Sequence, residues 1–360
     1  MQSSLFIERI YQEIEMEILK TIGETLAIGL YDDQGHLRWQ MNQLSMIGRL
    51  RQKHFEIIAN HANMTVQAVA QLINESAIKE ATRIDNQVKP AIDAGKIDAI
   101  ATNDRLFNSI RALERQAIDI TNMLNSSLLE GAEQVYRDII TQSVVEVSVG
   151  RKSLNEALVK TIKEWADKGI PTFTDKAGRQ WSNEAYVNMT VRTTVKNVVN
   201  QISNDRFNEY DIDLVQVSDH SDSRPDHAPF QGKIYSRSGK SKKYPPLEVT
   251  GYGDSITGLV TGINCRHMLY AYIEGVSLNN SKVVSLKEAQ KNYEQAQRQR
   301  YLERQIRNAK KRKIVLESVK AEKQEIINAK ELIKRRQARM RQFIKDTERT
   351  RRYDRERVEN

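Results

Sequence analysis

The chain has 360 residues, 39% hydrophobic and 29% charged, with one cysteine, six histidines and a formal net charge of +9. That length leaves room for more than one domain, and the surplus of charge over usual globular composition asks for extended, solvated helix. One cysteine excludes an internal disulfide and points to a reducing compartment. The opening "MQSSLFIERIYQEIEMEILK" carries acids inside its first apolar stretch and no small-residue cleavage site, so it does not read as a signal peptide. No apolar run approaches the ~20 residues that cross a bilayer, which predicts a soluble intracellular chain with no membrane partner.

Residues 1–130 read as an N-terminal helical region. Ile7, Ile10, Ile14 and Ile18 recur at steps of three and four, the period of one buried helical face. "FEIIANHANMTVQAVAQLI" (Phe55 to Ile73) superficially suggests a helix-turn-helix with Thr65 capping its second helix. Its exposed face offers only Gln67 and Gln71 with no nearby cation, thin provision for reading bases, and a packed helical hairpin with Val66, Val69 and Ile73 inward is the more common explanation. Residues 131–210 read as a helical pair. Ser153 and Glu156 form a capping box ahead of Leu154, Leu158, Ile162 and Trp165, and Gly169 and Pro171 close that helix. Val191, Val195, Val198 and Ile202 mark another helical face.

From residue 211 the period changes. In "DIDLVQVSDH", Ile212, Leu214, Val215 and Val217 alternate with polar residues and predict a strand. Four of the six prolines lie between Pro225 and Pro246, and seven of the sixteen glycines between Gly232 and Gly275. Residues 211–277 therefore read as a small β-rich domain of short strands and tight loops. Residues 278–360 are a long basic helical tail. Ser281 to Asn360 holds 25 Lys/Arg against 12 Asp/Glu, so the basic charge belongs to the tail and the body is mildly acidic. No Gly or Pro follows Gly275, and an unbroken helix over this length would extend on the order of 100 Å. Val319, Ile326, Ile333 and Met340 recur every seven residues, a narrow stripe suited either to one partner surface or to the chain's own body. The expected fold is α+β, mainly α.

Three of the six histidines (His220, His227, His267) and the cysteine (Cys265) crowd into "SDHSDSRPDHAPFQG" and "GINCRHM". Zinc takes four such ligands in a tetrahedron and stabilises small domains with little core. His220 and His227 could supply two ligands, and Cys265 and His267, two residues apart on a strand, two more from one face. Neither spacing is a standard finger pattern. The same residues also suit histidines bonded to loop backbone around a buried cysteine, or a Cys–His nucleophile pair, or the acid/base groups of a metal nuclease formed by His220, Asp222 and His227. The sequence has no Gly-rich phosphate loop and no G-x-S-x-G elbow, which disfavours an enzyme.

The pattern "VQVSDHSDSRPDHAPFQGKIYS…YPP…GYG…GLVTGINCRHMLYAYIEGVS" resembles the phage minor capsid protein 2 family, and more distantly the Mu-type head morphogenesis proteins. The family signature falls on Ser218, His220, Arg224, Pro225, His227, Gln231, Gly232, Asn264, Cys265, Arg266 and His267. Ser223 stands where the family is expected to have Ala, and Pro229-Phe230 where Ala-Trp or Val-Trp is usual; these departures are expected to touch packing and not the His/Cys set. The segments "LLEGAEQVYRDIITQSVVEVSVGRKSLNEALVKTIKEWADKGI", "YEQAQRQRYLERQIRNAKKRK", "IYQEIEMEILKTIGETL" and "LSMIGRLRQKHFEIIANHANMTVQAVAQLI" are similar to the family's flanking helices, so the likeness spans nearly the whole chain.

The resemblance implies a non-enzymatic virion component, present in a few copies per particle. Such a protein would associate with the portal and other phage head proteins, being assembled in the host cytoplasm and residing near the portal vertex. The signature would serve as a structural knot, with or without zinc. The basic tail adds a second expectation, contact with packaged phage DNA through Arg304, Arg307, Lys310, Lys311, Arg312, Lys313, Arg335 and Arg336, each cation releasing counterions from phosphate. A solvated helix with Glu at i±4 is the competing explanation of the same charges. A metal-dependent nuclease or toxin-like enzyme, and a helix-turn-helix DNA-binding protein, are the alternatives.

Overall fold

A computed structural model describes residues 4–30, 35–100 and 102–358. The fold is α+β and mainly α. In chain order it comprises α1 (Ser4–Leu26), α2 (His36–Ser45), α3 (Ile47–Asp93), α4 (Asp104–Ser148), α5 (Leu154–Lys168), β1 (Pro171–Thr174), β2 (Gln180–Ser182), α6 (Asn183–Glu209), β3 (Leu214–Val217), β4 (Ile234–Ser236), β5 (Leu269–Ala271), α7 (Leu286–Ser318) and α8 (Lys323–Thr347). Short 3-10 turns lie at Ala228–Phe230, Leu247–Thr250 and Tyr353–Glu356. The chain divides into two compact units, each gathered from separated stretches.

The first unit takes in Ser4, residues 67–119 and residues 189–297. Its sheet has the order β4-β3-β5, antiparallel throughout, with Val215 opposite Tyr235 on one side and Ala271 on the other. The chain enters this sheet through a tight helix stop. Asp211 adopts φ 52, its N–H donates to the Asn208 carbonyl at 3.3 Å, and the Ile212 N–H donates to the Phe207 carbonyl at 2.7 Å. That is a Schellman closure of α6, with its usual apolar contact between Phe207 and Ile212, both in the core. Val215, Val217, Tyr235, Leu259 and Leu269 complete this core with Ile84 and Val88 of α3.

Strand content in residues 211–277 is small, since the three strands have only three or four residues each. Loops make up the rest, and side chains on helices hold them. From α3, Arg83 donates to the Leu269 carbonyl at 2.8 Å and Gln87 accepts from the Ala271 N–H at 3.1 Å. From α6, Asn200 donates to the Val260 carbonyl at 3.2 Å and Asn204 to the Tyr252 hydroxyl at 2.9 Å. The backbone groups of β5 and of the loops reached this way escape the desolvation penalty of an unpaired buried group.

The second unit takes in residues 5–66, 120–188 and 298–360. Ile7, Ile10, Ile14 and Ile18 are all buried along α1. The Tyr11 hydroxyl donates to Asn125 Oδ1 on α4 at 2.9 Å, and the Tyr136 hydroxyl donates to Gln43 Oε1 on α2 at 2.7 Å. The capping box of α5 forms in full: Ser153 accepts from the Glu156 N–H, and the Glu156 carboxylate accepts from the Ser153 N–H. After α5, the all-helical expectation misses a hairpin. β1 and β2 pair antiparallel around a turn in which Asp175 Oδ1 accepts from the N–H groups of Ala177 and Arg179 at 3.0 and 2.9 Å.

Two further expectations are corrected. Residues 55–73 run without a turn inside α3, and Thr65 donates to the His61 carbonyl one turn back at 2.8 Å instead of capping a new helix. The helix-turn-helix reading has no turn to stand on. The tail is not one rod but α7 and α8, divided at a second Schellman closure with a lysine at the left-handed position. Lys320 has φ 55, its N–H donates to the Glu317 carbonyl at 3.1 Å, and the Ala321 N–H donates to the Leu316 carbonyl at 3.0 Å. Leu302 and Ile306 of α7 then enclose Met340 of α8, with Phe343 and Ile344 beside them. The seven-residue stripe thus turns onto its own unit: Val319 and Met340 are buried, and Ile326 and Ile333 half-buried.

Candidate functional site

The first unit brings the signature residues together where β3 ends and β5 begins. Ser218 closes the strand pair: its N–H donates to the Met268 carbonyl at 2.9 Å, and its hydroxyl accepts from the Met268 N–H at 2.9 Å. This fixes His267, one residue before, against the loop that carries His220 and His227. Gly232 turns the chain back at φ 69, and a side chain there would meet Val283 Cγ2 at 2.6 Å and Ser281 Cβ at 2.8 Å. Pro225 starts the run that ends in the 3-10 turn at Ala228–Phe230.

Cys265 Sγ lies 3.6 Å from His227 Nδ1 and 3.5 Å from His267 Nδ1. One ligand atom from each of the three residues lies within 4.8 Å of the other two, and all three residues are buried. The far nitrogens of both rings are held by other groups. His267 Nε2 is 3.1 Å from Gln231 Oε1 and 3.3 Å from Ser223 Oγ. His227 Nε2 is 2.9 Å from the Thr257 carbonyl and 2.7 Å from Arg224 Nη2. The carbonyl demands a proton on that nitrogen and the guanidinium a lone pair, so His227 satisfies one or the other and not both. Ser223, read from sequence as a packing departure, therefore touches the His/Cys set directly.

His220 stands apart from the triad. Its Nε2 is 3.0 Å from the Arg266 carbonyl, its ring lies against His267 at 4.9 Å between centroids, and its own N–H donates to Gln231 Oε1 at 2.5 Å. Gln231 thus braces both His220 and His267 through one oxygen. Arg266 is half-exposed and pairs with Asp222 at 3.4 Å. Asn264 occupies the left-handed region at φ 57, which its short amide tolerates.

Val260 is the strained residue of the site. A β-branched side chain at φ 70 is disfavoured, yet Val260 is buried, its carbonyl accepts from Asn200, and its N–H points at Cys265 Sγ from 3.2 Å. The sulfur therefore faces three N–H or imidazole groups. Burial opposes ionisation of the thiol, but the bonds from His227 and His267 outweigh it and bring its pKa down to about 5. The lowered pKa favours the thiolate, the form that binds metals or attacks electrophiles. A cavity of about 420 Å³ borders it, lined in part by Arg192, Lys196, Asn264, Arg266 and Met268. Lys196 donates to the His267 carbonyl, and burial lowers its pKa to about 8. Lys196, Asn200 and Asn204 form an i, i+4, i+8 polar row on α6, a sequence signal for a loop-holding face that composition alone hides.

In the second unit the tail cations divide into two groups. Those named from α7 are mostly committed. Lys311 is 3% exposed and pairs with Glu15 at 2.6 Å; Arg307 pairs with Glu184 and Arg312 with Asp167. Lys310 donates to the Glu356 carbonyl at 2.7 Å, and Lys313 pairs with Glu317 at 3.2 Å. On α8, Arg336 donates to the Gln305 carbonyl at 2.5 Å. Arg304 and Arg335 are exposed, with Arg304 lying near the Tyr301 ring, 5.8 Å from its centroid. Around Arg335, α8 also exposes Lys330, Lys334, Arg339, Arg341 and Lys345, which sequence reading passed over. Among the described residues none of these six has an ion-pair partner.

The family model of phage minor capsid protein 2 matches residues 4–345. A structural protein of Lactococcus phage LL-H is 30% identical over 333 residues, covering 89% of this chain and 88% of that protein. A structural protein of Lactococcus phage mv4 is 40% identical over 119 residues, which is 33% of this chain and 94% of that protein. No solved structure matches. With the signature loops closed around one buried cysteine and the family match running from α1 into the last turn of α8, the chain belongs to the phage minor capsid protein 2 family.

Proposed function

We propose that this chain is a non-catalytic head component that docks on the portal vertex during capsid assembly, in more than one copy, and lays its C-terminal helical hairpin against packaged DNA. Family membership carries the first half of this reading, together with the structural-protein relatives. A surface for protein contact supports it: Leu37, Met41 and Leu44 repeat at helical spacing on α2 and stand 60%, 71% and 41% exposed, while Trp39 and Gln43 bury the opposite side. Among the described residues no helix is long and apolar enough to cross a membrane.

Co-expression with the portal protein of the same phage, followed by size exclusion, tests the docking. Co-elution is expected, and it should weaken in Leu37→Ser/Met41→Ser with unchanged circular dichroism. Separate elution across several salt concentrations would overturn the proposal. Plasmid nicking with added divalent metal discriminates the nuclease alternative; intact plasmid is the expected result.

The exposed cations of α8 support the DNA contact, which shifts the candidate surface from α7 to α8. Each phosphate contact contributes about 0.9 to the slope of log K against log salt. Replacing Lys334, Arg335 and Arg341 by Gln should therefore flatten that slope by roughly 2 to 3, while Lys313→Gln leaves it unchanged. Equal slopes in the triple variant and the parent would remove the DNA contact from the proposal.

A further inference from the structure

We propose that His227 Nδ1, Cys265 Sγ and His267 Nδ1 form a three-ligand site for one zinc-class divalent cation, with His220 outside the coordination sphere. This goes beyond the assembly role, which stands or falls independently of any metal.

The spacing of the donors carries the inference. In a tetrahedral zinc site with Zn–S near 2.3 Å and Zn–N near 2.0–2.1 Å, sulfur and nitrogen sit about 3.6 Å apart. Both observed pairs, 3.6 and 3.5 Å, meet that value. One sulfur and two ring nitrogens, those of His227 and His267 from separate loops, therefore stand at ligand-like separations, all within 4.8 Å.

The surroundings point the same way. A ligating imidazole ordinarily donates its other N–H to a carbonyl or carboxylate, which fixes tautomer and ring orientation. His267 Nε2 has the Gln231 side-chain oxygen at 3.1 Å, and His227 Nε2 has the Thr257 carbonyl at 2.9 Å. With metal on Nδ1, His227 must keep its proton on Nε2 and give it to Thr257. Arg224 then loses His227 as an acceptor and retains the same carbonyl, 3.3 Å away. The Val260 N–H aimed at Cys265 Sγ is the kind of contact that steadies a ligating thiolate, and Val260 adopts a strained backbone to make it. Sulfur with two imidazoles favours zinc over magnesium or calcium, which prefer oxygen. His220 lies outside this group of mutually close donors, with its Nε2 on the Arg266 carbonyl at 3.0 Å, and the cavity beside Cys265 leaves room for a water or other small fourth ligand.

The test uses untagged full-length protein, reconstituted with Zn²⁺ and freed of excess metal, with zinc per chain read by elemental analysis. The expected content is about one zinc per chain, lost in Cys265→Ser and in His227→Gln and retained in His220→Ala. Gln231→Ala should still bind, but about 10–100-fold more weakly. Wild-type protein with native circular dichroism and no zinc would overturn the site. So would full zinc content in Cys265→Ser. Loss of zinc from a folded His220→Ala would overturn the three-ligand assignment. Should the ligand variants fail to fold, Co²⁺ substitution of the wild type decides alone: a sulfur-to-cobalt charge-transfer band is expected, and its absence sinks the proposal.

Discussion

Lys311→Met in the second unit is the most informative substitution. Glu15 is fully buried, its Oε2 accepts from Lys311 at 2.6 Å, and its Oε1 accepts from the Ile170 N–H at 2.9 Å. Glu184, 3.7 Å from Lys311, is held by Arg307 as well, so it survives the substitution with a partner. Glu15 does not. Removing one member of a buried pair leaves an uncompensated charge and costs about 3–5 kcal/mol. At about 2–4 °C per kcal/mol for a unit of this size, the melting transition should fall by about 6–20 °C. Methionine keeps the length of the lysine stem, so packing loss is a minor part. The assay is calorimetry, with hydrogen exchange of α1 and α7 showing which unit has loosened. Adding Glu15→Gln should return much of the loss, because a neutral amide needs no counter-charge. A drop below about 2 °C, or a double variant no better than the single one, would refute the claim that this lysine serves the fold.

Three other outcomes follow from the same geometry. His54 is buried, its Nε2 lies 2.9 Å from the Thr21 hydroxyl, and that hydroxyl donates onward to the Ile18 carbonyl, so Nε2 carries the proton that the hydroxyl accepts. Burial, aided by Lys53, lowers its pKa from 6.5 to about 4. The unfolded chain binds this proton first, so the contribution is complete above pH 6.5 and lost as pH falls toward 4, about 3 kcal/mol in all; urea midpoints across that range should fall in the parent and fall less in His54→Gln. Glu184 behaves in the same direction at lower pH: burial alone would raise its pKa, but Arg307 and Lys311 bring it from 4.5 to about 2. Acid titration should therefore remove its stabilisation between those values, and a Glu184→Gln protein with the same acid profile would contradict this. In the first unit, a methyl group on Gly258 would lie 2.3 Å from the Gly251 carbonyl oxygen and 2.5 Å from that of Asp254. Gly258→Ala should cost about 1–3 kcal/mol, and an unaltered melting curve would show that this loop is slack.

Much of the helical framework was legible because its signals are local. The Ser153–Glu156 box and the isoleucine period of α1 need only their own neighbours in sequence. β3 was equally readable from its alternation. The break between α7 and α8 was not, because Lys320 takes a glycine's conformation with no glycine to announce it. Its cause is tertiary: Val315, Leu316 and Val319 are buried, and Gly23 of α1 lies so close that a Cβ there would meet Ser318 Oγ at 2.0 Å. Charge misled for a similar reason. The run Lys310 to Lys313 looks like a polyanion-binding patch until Asp167 and Glu15 arrive from elsewhere to meet Arg312 and Lys311, with Glu317 meeting Lys313 from one turn along the same helix. At the site, sequence found the residues but not their facing: which ring nitrogen points at the sulfur is set by Gln231 and Thr257, and residue spacing holds no record of that.

The second unit has a consequence for biosynthesis. Two of its ion pairs join residues 296 and 347 positions apart, Glu15 with Lys311 and Glu8 with Arg355. A ribosome adding roughly 5–20 residues per second exposes α1 long before α7 exists, so the five buried isoleucines of α1 emerge before the partner of Glu15 has been made. Shielding of the nascent apolar face by a chaperone, or delayed collapse, is then part of making this protein, and shortening it from the C-terminal side would expose a surface near its start.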